Sequence, residues 1–453
     1  MQQRRTPTTS TLMTSGRLLG LGLGLGLGLG ACQTDPFAVD PPADCEVQSQ
    51  NQFVVEVMDE YYLWTEDIDT SLDIDSYDGP EAMARALRVS QDRWTRVSDK
   101  ATSDALFMQG KFVGLGYKTQ RGADDEVRVS FVSDNSPASE AGIVRGDVIA
   151  GVGGFSAEEL DANGTWSSIY GANEPGVTVE VEVLKIATGE IEAVSMTKEW
   201  IDIVSLPVAE VFDGPGGAPV GYFLMDKFVE TTKAELDGVF ATFKSAGASS
   251  VIIDLRYNGG GLISVAARVI DLAIGAKHAG SVSYGFQYNA NYSAQNSSTK
   301  INKLDQSIAA EKIVILTSSR TLSASELVIN ALFPYAEVTL VGSDTGGKPY
   351  GSRGFDFCEK RLFPITFRLV NSKGDSDYYD GLPADCFAED DLFHPLGDPD
   401  EGMLAAALSY LQTGACAPAP AAPFVSGTTR ARVDAVGETL LPNAEEREDI
   451  DSW

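Results

Sequence analysis

Residues 313–326 read IVILTSSRTLSASE: an apolar run from Ile313 to Thr317, a polar turn through Ser318, Ser319, Arg320 and Thr321, then Leu322-Ser323-Ala324-Ser325-Glu326 opening a second apolar stretch. A short apolar run bounded by turn residues has the character of a buried strand, and the stretch from Ser325 onward continues as a helix. The pattern recurs on both sides. Val251–Leu255 runs into Asn258-Gly259-Gly260-Gly261 with a helix from Leu262, and Glu337–Val341 runs into Gly346-Gly347-Lys348-Pro349-Tyr350-Gly351. With a strand at Val220–Met225 and a helix near Thr232–Ser245, strands and helices alternate over residues 204–416, which predicts an α/β core.

The turns between these elements carry chemistry. A hydrolase acting by nucleophilic attack needs an activated hydroxyl, a base and donors for the oxyanion. Ser323 stands at a helix N-terminus, where unpaired N–H groups favour negative charge. Lys348 is one lysine in a glycine-rich loop. Gly260, Gly261 and Ala324 offer backbone N–H donors. The bland alternatives are a capping serine, a surface lysine and a tight glycine turn. A Ser-His-Asp arrangement would need His278 or His394, the only histidines, and no G-x-S-x-G occurs. Ser297-Ser298-Thr299-Lys300 matches S-x-x-K formally, but it lies in a polar stretch without a K-T-G partner.

Residues 109–203 change character, with alternating strands at Glu126–Val132 and Val177–Leu184 around Ser136-Pro137-Ala138-Ser139-Glu140-Ala141-Gly142-Ile143-Val144-Arg145-Gly146-Asp147-Val148-Ile149. This segment resembles a PDZ domain. The resemblance implies that Gly114, Leu115, Gly116 and Tyr117 form a carboxylate-binding loop, where a peptide C-terminus adds as a strand. A PDZ fold that only packs against its neighbour is the alternative.

D-L-R-x-N-x-G-G at Asp254–Gly261, S-A-S-E at Ser323–Glu326 and Gly347-Lys348, with the lysine 25 residues after the serine, together resemble the carboxy-terminal processing and tail-specific proteases of the S41 type. The resemblance spans roughly residues 51–416. It implies a ClpP/crotonase-like α/β core preceded by the PDZ-like domain and a small N-terminal helical cap, with Ser323 as nucleophile and Lys348 as its base. Many members carry a glutamine four positions after the lysine, where this chain has Ser352. Either Ser352 orients Lys348 with a shorter reach, or the dyad is held differently. Pro349, where the family commonly has glycine, points to the branch of exported lipoproteins. No cofactor or metal is expected.

The remaining segments frame this body. Residues 51–108 place Phe53, Val54, Val57, Met58, Tyr61, Tyr62 and Trp64 at helical spacing, and Met83, Leu87 and Trp94 continue a second helical stretch, giving the cap. Residues 1–31 read as a signal peptide, with Arg4, Arg5 and Arg17 before a Leu/Gly run. Leu29-Gly30-Ala31-Cys32 resembles a lipobox, which implies lipidation at Cys32; a plain secretory signal is the alternative. Residues 32–50 read as a tether and 417–453 as a disordered acidic tail. Cys45, Cys358, Cys386 and Cys416 remain, an even set consistent with two disulfides in an exported chain. Of three possible connectivities, Cys358 with Cys386 is favoured because both lie in one segment.

Lys plus Arg total 34 against 65 Asp plus Glu, a net charge of −31, which repels phosphate backbones and argues against nucleic acid as a partner. The expected partners are polypeptides recognised through their C-termini, and the expected location is the bacterial cell envelope, in the periplasm or on the outer surface, by a lipid anchor. The alternative is a non-catalytic PDZ-bearing binding lipoprotein on a protease scaffold.

Overall fold

The structure is a computed structural model that describes residues 35–122 and 125–416. The leader, Cys32 and the acidic tail lie outside these residues. The chain divides into two units: Met1–Ala38, of which only Asp35–Ala38 is described, and a second unit from Val39 that holds every element below.

A six-stranded sheet forms the main core, in the order Val208–Asp213, Pro219–Leu224, Ser250–Asp254, Lys312–Thr317, Glu337–Gly342 and Cys386–Phe387. The first pair is antiparallel and the rest are parallel. Phe223, Val251, Ile253, Ile313 and Ile315 face one way, packing with residues of the helices Thr232–Ala246, Ile263–His278 and Ala324–Leu332. Tyr222, Leu224, Ile252, Val314 and Leu316 face the other way, against Met403, Leu404, Ala407 and Leu411 of the helix Gly402–Thr413. Both faces of the inner strands are covered, so Val251–Ile253, Ile313–Leu316 and Leu340–Val341 read as apolar runs with no polar alternation. The loops 255–262, 318–323 and 343–349 leave the carboxyl ends of three adjacent parallel strands, which puts them side by side at one edge of the sheet, where open α/β sheets build their sites.

A second, antiparallel sheet follows the order Ser297–Lys300, Val282–Tyr288, Ile365–Asn371 and Tyr350–Ser352. The formal S-x-x-K match is therefore one of its edge strands.

Residues 117–197 build a β-rich body with its own core, which includes Leu115, Val129, Ile149, Val181 and Met196. Its strands run Tyr117–Arg121, Val127–Val132, Val148–Val152, Thr178–Leu184 and Ile191–Thr197, all antiparallel, with Tyr117–Arg121 at the edge. A two-stranded ribbon, Lys111–Gly114 with Glu199–Asp202, closes its base.

At the N-terminal end the helix Val47–Tyr61 buries Phe53, Val54, Val57, Met58 and Tyr61, the positions its spacing assigns to one face. Helix Pro80–Leu87 buries Met83 and Leu87. Trp64 and Trp94 lie outside both helices. The backbone turns extended at Tyr62, and Asp92 fixes the later segment by accepting the Tyr62 hydroxyl (2.5 Å) and the N–H groups of Trp94 (2.8 Å) and Thr95 (3.0 Å). Among the described residues no helix is long and apolar enough to cross a membrane.

The disulfides correct the pairing favoured above. Cys45 joins Cys358 and Cys386 joins Cys416, with Cα separations of 6.0 and 5.3 Å. Closeness in sequence misleads here because Cys358 sits at the turn of the hairpin Phe355–Phe357/Lys360–Phe363, while Cys386 lies in the last strand of the main sheet beside Val341. The first bond staples the start of the N-terminal helix to that hairpin; the second ties the last strand to the end of the last helix. A digest of the unreduced protein should yield Cys45–Cys358 and Cys386–Cys416 linked peptides by mass spectrometry. Replacing both Cys45 and Cys358 by serine is expected to lower unfolding stability by about 2–5 kcal/mol in urea titrations. A linked Cys358–Cys386 peptide would contradict the fold.

Candidate active site

Ser323 caps the helix Ala324–Leu332 with φ 58° and ψ −112°, a backbone state that a non-glycine residue enters only at a cost of about 1–3 kcal/mol. The surrounding structure enforces it. The Ser323 N–H donates to Glu326 Oε2 (2.9 Å), and its carbonyl accepts from the Leu327 N–H (2.8 Å). The preceding turn is lashed to the Asp254–Gly261 segment: Thr321 Oγ1 donates to the Leu255 carbonyl (2.9 Å), Ser318 Oγ to the Arg256 carbonyl, and Ser325 Oγ to the Asn258 carbonyl (2.9 Å).

The triple glycine packs directly on this turn. A Cβ at Gly260 would stand 2.8 Å from Ser323 Cβ and 3.0 Å from the Ala324 nitrogen, and one at Gly261 would stand 2.3 Å from the Phe228 carbonyl oxygen. Both positions also have positive φ, +105° and +138°, so glycine is required on two counts. Gly260, though, donates its N–H to Asn258 Oδ1 (2.9 Å) and has none to give an oxyanion. The N–H groups of Gly261 and Ala324 have no acceptor among the described residues.

Glu326, fully buried, joins the nucleophile turn to the lysine loop. Its carboxylate accepts the Ser323 N–H, the Gly347 N–H (2.8 Å), the Lys348 N–H (2.7 Å) and the Thr345 hydroxyl (2.6 Å). Gly346 adds a bond from its N–H to the Thr321 carbonyl (3.0 Å). Burial is the larger effect, so the carboxyl lies above its ordinary value, while the three backbone N–H donors and the Thr345 hydroxyl oppose it by favouring the ionised form. Glu326 stands three residues after Ser323, the S-x-x-E spacing of a capping box, a signal for its bond to the Ser323 N–H but not for its hold on the lysine loop.

The Lys348 ammonium lies over the Trp94 indole, 5.6 Å from its centroid, with Tyr350 and Tyr379 also packed near Trp94. Ser352 does not orient the lysine: its Oγ is buried and has no hydrogen-bond partner among the described residues. Its strand pairs it with Ile365.

Gly114, Leu115, Gly116 and Tyr117 connect the ribbon to the edge strand Tyr117–Arg121. The Leu115 and Gly116 carbonyls accept from Ala138 (2.9 Å) and Ser133 (2.8 Å), while the N–H groups of Leu115 and Gly116 have no acceptor among the described residues. Three basic residues join this body to the core. Lys118 pairs with Asp226 in a buried contact of 2.5 Å, and Arg320, three residues before Ser323, donates to the Thr119 carbonyl on the edge strand (2.6 Å). Arg145 binds Asp390 (2.6 Å) and donates to the Tyr257 hydroxyl (2.5 Å). Asp390 in turn meets Arg256 (2.9 Å), which is buried between Asp254 and Glu401. Burial opposes the Asp390 carboxylate, yet Arg145 and Arg256 beside it hold its pKa below the usual range. Asp254 and Arg256 were visible as a motif; Glu401, Asp390 and Arg145 are far away in sequence and carry no local signal.

The geometry defines a serine at a strained helix N-terminus with a lysine loop bound to it through one carboxylate. Residues 219–377 match the model of peptidase family S41, and residues 49–96 match the model of the peptidase S41 N-terminal domain. Among curated relatives, it is 26% identical over 309 residues to carboxy-terminal processing protease CtpA of Bacillus subtilis, covering 67% of this chain and 60% of that one. It is 26% identical over 271 residues to a carboxyl-terminal-processing protease of Picosynechococcus, covering 59% of this chain and 62% of that one. The matches thus span about three fifths of these relatives' length. A crystal structure of a putative S41 protease from Bacteroides fragilis shares the fold, with TM-score 0.63 and 22% identity over 79% of this chain and 96% of that one.

Glu326→Gln tests the bridge. It replaces one acceptor oxygen by an NH₂ group facing donors, leaving a buried N–H or hydroxyl unpaired at about 1–3 kcal/mol and freeing the two loops from each other. Peptide hydrolysis is expected to fall by at least ~100-fold in kcat/KM, with a lowered melting temperature. A variant with wild-type kcat/KM would show that the bridge is dispensable.

Proposed function

We propose that this chain is an exported, lipid-anchored serine endopeptidase acting on unfolded or flexible proteins through a Ser323/Lys348 dyad. The observation that carries the reading is the single buried carboxylate of Glu326 gripping the backbones of both Ser323 and Lys348. In the proposed reaction Ser323 Oγ attacks the scissile carbonyl carbon while neutral Lys348 Nζ takes its proton. The developing oxyanion accepts from the Gly261 and Ala324 N–H groups, the donors left unspent by the fold. Lys348 then passes its proton to the leaving amine, and a water deprotonated by the same lysine releases the acyl group. A free lysine has a pKa of about 10.4, so the base must be held neutral near the working pH, which favours a partly desolvated site.

Residues 109–203 are proposed as a PDZ-like domain that collects substrate C-termini. The open edge of Tyr117–Arg121 and the unspent N–H groups of Leu115 and Gly116 support this. Within the same reading, residues 51–108 are the cap, 204–416 the peptidase core, 1–31 a signal peptide and Cys32 the lipid attachment. Cys32→Ala should release the protein from the membrane fraction and abolish lipid labelling; unchanged labelling would remove the anchor from the proposal.

The unpartnered Ser352 hydroxyl, in place of a residue that could orient the lysine, favours one second reading, a binding lipoprotein on an inactive protease scaffold. Casein cleavage separates the two. Wild type should cleave, while Ser323→Ala, Lys348→Ala and Lys348→Arg should not, because a guanidinium remains protonated at neutral pH and cannot accept the serine proton. His278→Ala and His394→Ala should stay active: His278 packs at a tilt against Tyr335 and His394 pairs with Asp391. Inactive wild type would favour the scaffold reading; active Lys348→Arg with an inactive histidine variant would replace the dyad.

A further inference from the structure

The segment that follows the helix Pro80–Leu87 reaches into the catalytic centre. Asp92 pins it, and Trp94 is thereby set against Lys348. Arg93 lies beside the same indole, its guanidinium carbon 4.9 Å from the Trp94 centroid and 4.8 Å from that of Tyr379. Its Nη2 donates to the Tyr379 carbonyl (3.3 Å) and, more weakly, to the carbonyl of Gly347 (3.5 Å), the residue before the lysine. Two cationic side chains therefore share one aromatic ring, within about a Debye length (~10 Å) of each other.

We infer that Arg93 is a positioning residue for the reaction proposed above: its fixed positive charge disfavours the ammonium form of Lys348, and its grip on the Gly347 carbonyl seats the lysine loop. The inference rests on the Ser/Lys reading. An indole face alone stabilises an ammonium and would work against a neutral base. A guanidinium keeps its charge throughout the neutral range, already engages that ring, and opposes a second positive charge nearby. Other ionisable groups near the lysine act differently, among them Asp92, on the Arg93 segment, whose carboxylate is taken by the Tyr62 hydroxyl and the Trp94 and Thr95 N–H groups. Glu326, on the nucleophile helix, favours the ammonium but is spent on four donors. Tyr350 and Tyr379 flank Trp94, and Arg368 and Asp377 neutralise each other at 2.7 Å.

The test is the pH dependence of kcat/KM on an internally quenched peptide, for wild type, Arg93→Gln and Arg93→Lys. It is paired with ¹³C-dimethyl-lysine NMR titration of residue 348, assigned by its absence in Lys348→Arg. Arg93→Gln is expected to move the acid limb and the NMR titration upward by about one pH unit, the size of one charge at this separation. At neutral pH that is up to a tenfold loss, recovering towards wild type in alkali. Arg93→Lys should keep both midpoints within a few tenths of a unit. A loss equal at every pH with an unshifted titration would show a purely structural residue and overturn the inference, as would an unchanged midpoint in Arg93→Gln. Should Arg93→Gln fail to fold by circular dichroism, Arg93→Met applies the same criterion. If Lys348→Ala stays active, the Ser/Lys reading itself fails, whereas the NMR titration still decides whether Arg93 acts on residue 348.

Discussion

One carboxylate holds the centre together. Glu326 sits inside the sheet-helix core, fully enclosed, and spends its oxygens on the N–H of Ser323, on those of Gly347 and Lys348, 24 and 25 residues further along the chain, and on a hydroxyl. Burying a carboxylate is costly unless it is hydrogen-bonded, and the four donors offset part of that cost. The strain at Ser323 has the same origin. Its positive φ turns its N–H onto Glu326, so the stored backbone energy and the charge-assisted bonds are parts of one arrangement.

Around this centre the fold repeats the device at larger scale. Arg256, enclosed by Asp254, Glu401 and Asp390, fixes the loop on which the nucleophile turn rests, and Arg145 extends the network to the β-rich body. Lys118 and Arg320 add two further polar links between the same partners. Removing one member of such a network leaves buried charge without compensation, so each of these contacts is costly to break. Arg320 is notable among them because it connects the nucleophile turn to the edge strand proposed to receive peptide.

Much of this was legible in the sequence because the parallel strands are covered on both faces. Val251–Leu255, Ile313–Thr317 and Glu337–Val341 read as apolar runs, and the observed strands lie within one residue of them. The Gly260-Gly261 pair and Ser323 could be placed by local rules: glycine where a Cβ would collide, serine at a helix start. What local rules could not supply depends on distant chain. Ser352 stands four positions after the lysine but its hydroxyl makes no hydrogen bond among the described residues, and Gly260 had a free N–H on paper until Asn258 claimed it. Glu326, Arg93 and Trp94 act through partners hundreds or tens of residues away. The cysteine pairing failed for the same reason, since proximity along the chain says little once a strand crossover intervenes.

Amide hydrogen exchange followed by mass spectrometry with peptide-level resolution over residues 343–351 addresses the Glu326 bridge without relying on catalysis. In the wild type, the Gly347 and Lys348 amides should exchange as slowly as those of the buried strand Lys312–Thr317. In Glu326→Gln, the loop amides should lose protection by at least ~10-fold while the strand keeps its own. Equal protection of the loop in both proteins would mean that the carboxylate does not hold the lysine loop to the nucleophile turn.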